Sequence, residues 1–160
     1  PLLAAAVAGQ DMGLVSEAGM PAIADPGASV VRAAHALGVP VVPLVGPVSL
    51  MLALAASGLN GQHFAFVGYL PQEGTARAQR LRELEALVQK TGQTQLFIET
   101  PYRNEALLQG LLSTLKPTTR LALSTGLTLA GARTRSLPVQ AWKQVKDGPG
   151  DGPAVFAIGR

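Results

Sequence analysis

Residues 14–27, reading Leu-Val-Ser-Glu-Ala-Gly-Met-Pro-Ala-Ile-Ala-Asp-Pro-Gly, constrain the fold more than any other stretch of the chain. A short apolar run enters a loop broken by Gly19, Pro21, Pro26 and Gly27, and a helix-forming run follows. Gly19 permits positive φ or close approach of a ligand to the backbone. Asp25 before Pro26 reads as an N-cap followed by a proline preset for the first turn, which predicts a helix over 28–37. A helix start aimed off the end of a strand offers unpaired N–H groups and partial positive charge, suited to a carboxylate or phosphate. Spacing alone leaves this open against a plain capped connection.

The same plan recurs downstream. Residues 2–8 fit a helix stopped by Gly9, and 12–16 a short buried strand that delivers the loop. The β-branched run 39–44 predicts a strand buried on both faces of a parallel sheet, running through Gly46-Pro47 into a helix over 48–57. Two strand-loop-helix units with right-handed crossovers place both loops, 19–27 and 45–49, at the carboxyl edge of one sheet, where open α/β folds bind ligands. The polar break at 58–62 predicts a boundary between domains 1–60 and 61–160.

Beyond it, strands are predicted at 64–70, 94–98, 121–124 and 154–158, with helices at 75–90 and 105–115. Residues 131–137 and the Trp142 segment read as a strand or hairpin and a short helix. Gly68 inside the first of these strands marks a bulge or a close backbone approach. On the 75–90 helix Ala76, Leu81, Leu84, Ala86, Leu87 and Val88 trace a stripe, and Arg77, Arg80, Arg82, Glu83 and Glu85 lie mostly off it. That charge is either a solvated face or a phosphate-binding one. The second region is therefore also α/β.

Composition removes several classes of function. With 48% hydrophobic and 14% charged residues the chain has ample material for a packed core. Cysteine is absent, and His35 and His63 stand alone, so neither a disulfide framework nor a metal centre is expected. The apolar runs fall short of the roughly 18 residues that span a bilayer, which points to a cytoplasmic protein without membrane attachment. The net charge of +3 is lopsided, with twelve Lys/Arg against seven Asp/Glu in 61–160, so that region is the one suited to anions. The chain opens at Pro1 on what looks like the tail of a helix, the pattern of a piece of a longer protein.

Four ordered segments, Ser16-Glu-Ala-Gly-Met-Pro-Ala-Ile-Ala-Asp-Pro-Gly27, Pro43-Leu-Val-Gly-Pro-Val-Ser49, Phe66-Val-Gly-Tyr-Leu-Pro71 and Glu99-Thr-Pro-Tyr-Arg103, resemble the tetrapyrrole methylase superfamily. Within it they are most similar to the branch of small-subunit ribosomal RNA 2′-O-ribose methyltransferases. The resemblance implies two α/β domains with a cofactor cleft between them, S-adenosylmethionine as cofactor, and a homodimer. The family's opening strand and glycine-rich loop would precede Pro1, so it implies an incomplete first domain. It places Gly19, Met20, Pro21 and Ala22 against the methionine part of the cofactor, with Gly46, Pro47 and Ser49 beside them. Tyr69, Thr125 and Leu127 would close over the adenosine.

Two departures concern the acceptor. Where the ribosomal RNA branch has Arg-Glu-Leu-Thr-Lys, this chain reads Ser124-Thr-Gly-Leu-Thr-Leu129, and Tyr102 replaces a histidine. The implied acceptor is a ribose hydroxyl of ribosomal RNA, with a tetrapyrrole or other small molecule, or a non-catalytic module, as alternatives. For a hydroxyl acceptor Glu99 is the best-placed base, with Arg103 to orient it or hold a phosphate. The residues equally allow Glu99 and Arg103 to be a simple ion pair at a helix head, and Asp25 to be a cap or a catalytic group.

Overall fold

A strand whose six residues are all buried needs cover on both faces, and Ala154–Gly159 is such a strand. The computed structural model, which describes residues 2–160, places it at the centre of a five-stranded sheet. In chain order the elements are α1 (Ala4–Val7), α2 (Ala28–Ala36), α3 (Ser49–Ser57), β1 (Phe64–Tyr69), α4 (Gly74–Thr91), β2 (Thr94–Ile98), α5 (Asn104–Thr114), β3 (Arg120–Thr125), β4 (Arg133–Pro138), α6 (Val139–Trp142) and β5 (Ala154–Gly159). A 3-10 turn, Pro101–Arg103, leads into α5. Residues up to Val48 form one compact unit and Ser49–Arg160 a second.

In the second unit the strand order is β1-β2-β5-β3-β4. β1 and β2 are parallel, and β5 runs antiparallel to both β2 and β3, as β4 does to β3. The carboxyl ends of β1, β2 and β3 consequently share one sheet edge. Strand alternation divides the sheet into two faces. Phe97, Leu121, Leu123, Phe156 and Ile158 join Leu81, Leu84, Val88, Leu107 and Leu111 of α4 and α5 in the main core, with Phe97 and Phe156 stacked at 6.1 Å between ring centroids. Trp142 of α6 enters the same core, and its indole N–H donates to the Leu121 carbonyl at 2.9 Å.

On α3 the residues Leu50, Ala53, Leu54 and Ser57 are buried at helical spacing, and the helix packs on β3, β4 and β5. That buried stripe fastens α3 to the sheet.

Punctuation in this unit follows the residues. Gly68 at φ +73° sits where the β1–β2 register shifts between Phe66 and Tyr69, so the bulge forms as read. Gly92 at φ +73° ends α4, its N–H bonded to the Val88 carbonyl. Glu85, assigned by pattern to the charged side of α4, is buried. Its Oε1 accepts from the Lys116 N–H at 2.8 Å and from the Thr119 hydroxyl, pinning the turn after α5.

In the first unit α2 forms as read, bounded by Gly38 at φ +70°. Three expectations fail there. Neither 12–16 nor 39–44 forms a strand, since each lacks a paired ladder among the described residues, and Val15 stays 86% exposed. The two strand-loop-helix units therefore do not assemble into a parallel sheet. Asp25 does not cap α2. The N-cap is Gly27 at φ +139°, no side chain caps the helix, and Val30 and Val31 donate to the Gly27 carbonyl.

The cap of α4 is a titrating one. Glu73 accepts from the Thr75 and Ala76 N–H groups at 2.8 and 2.7 Å, and these backbone donors hold its carboxyl below its ordinary value of 4.5. A carboxylate depressed in the folded state stabilises above its unfolded pKa, and that contribution is lost as pH falls through the lower folded value. Stability measured by denaturant between neutral pH and pH 3 should fall more steeply for the wild type than for Glu73→Gln below about pH 4.5. Parallel curves would show that the cap is not coupled to folding.

Candidate functional site

The candidate residues fall into two sets, one in each unit. In the first unit, Gly19 and Gly46 belong to loops 27 residues apart in sequence that touch. A Cβ on Gly19 would lie 3.5 Å from the Pro47 carbonyl oxygen, and one on Gly46 would lie 3.3 Å from Met20 Cγ. The two loops thus lie side by side as the sequence predicted, although among the described residues no sheet edge delivers them. Met20, Pro21 and Ala22 are half-buried, whereas Gly19, Gly46 and Pro47 are exposed.

The loop is held in an unusual conformation. Gly19, Ala22, Ala24 and Gly27 all have positive φ, and the Ala22 N–H donates to the Pro26 carbonyl at 3.2 Å. For alanine the left-handed region costs about 1 kcal/mol. Among the described residues the non-glycine positions at positive φ are Ala22, Ala24 and Thr128, and all three lie in loops that the sequence singled out. Strain of this kind persists where surrounding structure enforces it, and it concentrates at ligand sites.

In the second unit the sheet edge gathers the other set. Tyr69 ends β1, Glu99 follows β2, Thr125 ends β3 and Leu127 lies in the next turn. Ser49 opens α3, in the second unit. Tyr69 is exposed, and Thr125 and Leu127 are half-buried.

Glu99 and Arg103 do meet. The Glu99 side chain is 1% exposed and that of Arg103 25%. Glu99 Oε1 accepts from the Thr100 N–H at 2.7 Å, the Thr100 hydroxyl at 3.2 Å and Arg103 Nε at 3.1 Å, with Arg103 Nη2 also 3.1 Å away. The 3-10 turn produces this by bringing position 103 back over position 99. Arg103 also lies 5.1 Å from the centroid of the exposed Tyr102 ring.

Asn104 escaped the sequence reading. It is fully buried, its Nδ2 donates to the Gly152 carbonyl at 2.9 Å, and its Oδ1 has no partner. It ties the start of α5 to the loop before β5, and only its place beside the Glu99–Arg103 segment hinted at this. The outer-helix arginines, read as part of a solvated or a phosphate-binding face, have partners. Arg77 lies along α5 against Gly110, and Arg80 pairs with Glu83 at 3.0 Å. Among the described residues no group of three His, Cys, Asp or Glu side chains could hold a metal ion, and no helix is long and apolar enough to cross a membrane.

Removing Arg103 leaves a buried carboxylate with fewer donors. Discounted for the partial exposure of the guanidinium, Arg103→Leu should cost about 1–2 kcal/mol in urea denaturation. The double variant Glu99→Leu/Arg103→Leu should lose less than the sum of the single changes. Additive losses would mean that the two groups are not coupled.

The sequence profile described as Tetrapyrrole (Corrin/Porphyrin) Methylases matches residues 2–141. The chain is 38% identical over 131 residues to a protein of Pseudomonas aeruginosa named ribosomal RNA small subunit methyltransferase I, covering 82% of this chain and 45% of that one. A protein of the same name from Escherichia coli O157:H7 is 32% identical over 160 residues, covering 98% and 54%. The chain thus spans about half the length of these relatives. Among solved structures, the methyltransferase CobJ superposes with TM-score 0.60 at 18% identity, covering 99% of this chain and 68% of that one. Uroporphyrin-III-C-methyltransferase from Thermus thermophilus gives 0.52 at 22% identity, covering 88% and 60%; these two likenesses concern the fold. With its four ordered motifs and a profile match over most of its length, the chain belongs to the tetrapyrrole methylase family.

Proposed function

We propose that this protein is an S-adenosylmethionine-dependent methyltransferase that methylates a ribose hydroxyl of ribosomal RNA. The observation that carries the reading is the contact between the strained 19–27 loop and the Gly46–Pro47 loop, in a chain of this family. The names of the relatives from Pseudomonas and Escherichia support ribosomal RNA as the substrate. In this reading Gly19, Met20, Pro21 and Ala22 hold the methionine part of the cofactor, with Gly46, Pro47 and Ser49 beside it. Tyr69, Thr125 and Leu127 contact the adenosine. The protein works as a homodimer in the cytoplasm, and the family's first domain covers 1–60 and its second 61–160.

Methyl transfer from a sulfonium is an in-line displacement in which positive charge disperses, so alignment of donor and acceptor does most of the catalysis. The cofactor supplies the activated methyl group. The chain's residues supply position: exposed backbone of Gly19 and Gly46 admits the ligand closely, and positive φ at Ala22 fixes the loop before binding. At the second unit's sheet edge, the hydrogen bonds that Glu99 accepts from Thr100 and Arg103 converge on Oε1. We assign Oε2 to the acceptor hydroxyl proton, while Arg103, held by Oε1, faces an adjacent phosphate.

One observation favours a second reading. Ser124–Leu129 carries none of the charged side chains of the ribosomal RNA branch, which suits a smaller acceptor. The test is tritium transfer from labelled cofactor by the full-length protein, offered small ribosomal subunits, total RNA and a small-molecule extract. Label is expected in 2′-O-methyl ribose and should be lost in Arg103→Ala. Label confined to small molecules would replace the RNA reading with the second one.

A further inference from the structure

The free edge of the sheet carries a charge arrangement that neither the core nor the proposed methyl-transfer residues require. β4 is the outermost strand and reads Arg-Thr-Arg-Ser-Leu-Pro. Strand alternation projects Arg133 and Arg135 from the same face, opposite Thr125 and Leu123 of β3. Like charges on neighbouring same-face positions repel, so the pair needs an anion.

One anion is present. Asp147 Oδ2 lies 3.3 Å from Arg133 Nη1 and 3.6 Å from Arg135 Nη2, and Arg133 Nη2 donates to the Gly148 carbonyl at 3.4 Å. Thr125, Trp142 and Gly148 line the same small cleft, and the Arg135 guanidinium lies 6.0 Å from the Trp142 ring centroid.

These ion pairs are long and largely exposed, and pairs of that kind add next to nothing to stability. Neutralisation is also incomplete. Residues 133–148 hold four cationic side chains, with Lys143 and Lys146 exposed, against Asp147 in the same segment and Glu105 of α5, whose carboxylate lies beside Gly148. What the geometry does show is a point, marked by Asp147 Oδ2, where two guanidiniums converge on one anionic oxygen.

We infer that this β4 edge is a docking surface for the phosphodiester backbone of RNA, with Asp147 occupying the phosphate position in the absence of nucleic acid. The inference rests on the RNA-methyltransferase reading and extends it to substrate binding. A phosphodiester presents two non-bridging oxygens, which a guanidinium pair grips in forked geometry. Position supports the choice. Arg133 pairs in register with Thr125, so the cations begin at the sheet edge that carries Glu99 and Leu127. Backbone contacts of this kind set register on the substrate without reading its sequence.

The test measures binding of the full-length protein to a fluorescein-labelled single-stranded oligoribonucleotide and to purified small ribosomal subunits over a range of salt. Arg133→Gln/Arg135→Gln should weaken binding about tenfold at low salt, and for the oligoribonucleotide should lower the slope of log affinity against log salt by about 0.7, the loss of one phosphate contact. Arg133→Lys/Arg135→Lys should keep most of the slope, because it keeps the charge. Asp147→Asn should strengthen binding several-fold, a gain that a misfolded variant could not produce. Unchanged affinity and slope in the Gln variant, with an unchanged melting temperature, would overturn the inference while leaving RNA methylation standing. A wild type that binds no RNA but methylates a small acceptor would overturn both.

Discussion

The architecture of the second unit depends on β5 running antiparallel between β2 and β3. Because both neighbours oppose it, they are parallel to each other, and β1 is parallel to β2. Three strands therefore deliver their carboxyl ends to one edge, and the chain must place its loops there. The composition of β5 makes this possible. Ala-Val-Phe-Ala-Ile-Gly carries no charge, so both faces can be covered, one by α4 and α5 and the other by α3. Small residues Ala122 and Ala157 on the α3 side let the helix approach, and Leu59 fits against Gly159, where an added Cβ would come within 2.8 Å of it.

Glu99 sits at that edge. Burying Glu99 is tolerable only because Arg103 and Thr100 supply donors, and the 3-10 turn that brings them together also displays Tyr102 and Arg103 at the surface. The first unit solves a different problem. Its loops hold two alanines at positive φ without any sheet beneath them, and the contacts of Met20 with Gly46 and of Gly19 with Pro47 constrain that conformation. Pre-ordering a loop in this way lowers the entropic cost of binding.

Much of the second unit was legible in its sequence. β2 matches its expected bounds, the Gly68 bulge follows from glycine chemistry, and Tyr69, Glu99 and Thr125 fall at or beside the ends of strands the sequence predicted. The first unit was less legible. The runs 12–16 and 39–44 have strand composition, but a strand exists only where a partner completes its hydrogen bonds, and composition does not report partners. Asp25 failed as a cap for a local reason. Gly27 adopts a φ closed to other residues and starts the helix itself, two positions later. Glu85 and Asn104 were invisible because their roles depend on residues 31 to 48 positions away in the chain.

The central claim is that the 19–22 and 45–49 loops of this methylase-family chain hold S-adenosylmethionine. Photolabelling the full-length protein with tritiated S-adenosylmethionine, followed by proteolysis and peptide mapping, tests it most directly. Label should concentrate in peptides containing Met20 and Pro47 and should disappear when excess S-adenosylhomocysteine is present. Competed label that falls wholly outside those two loops and the peptides holding Tyr69, Thr125 and Leu127 would contradict the account.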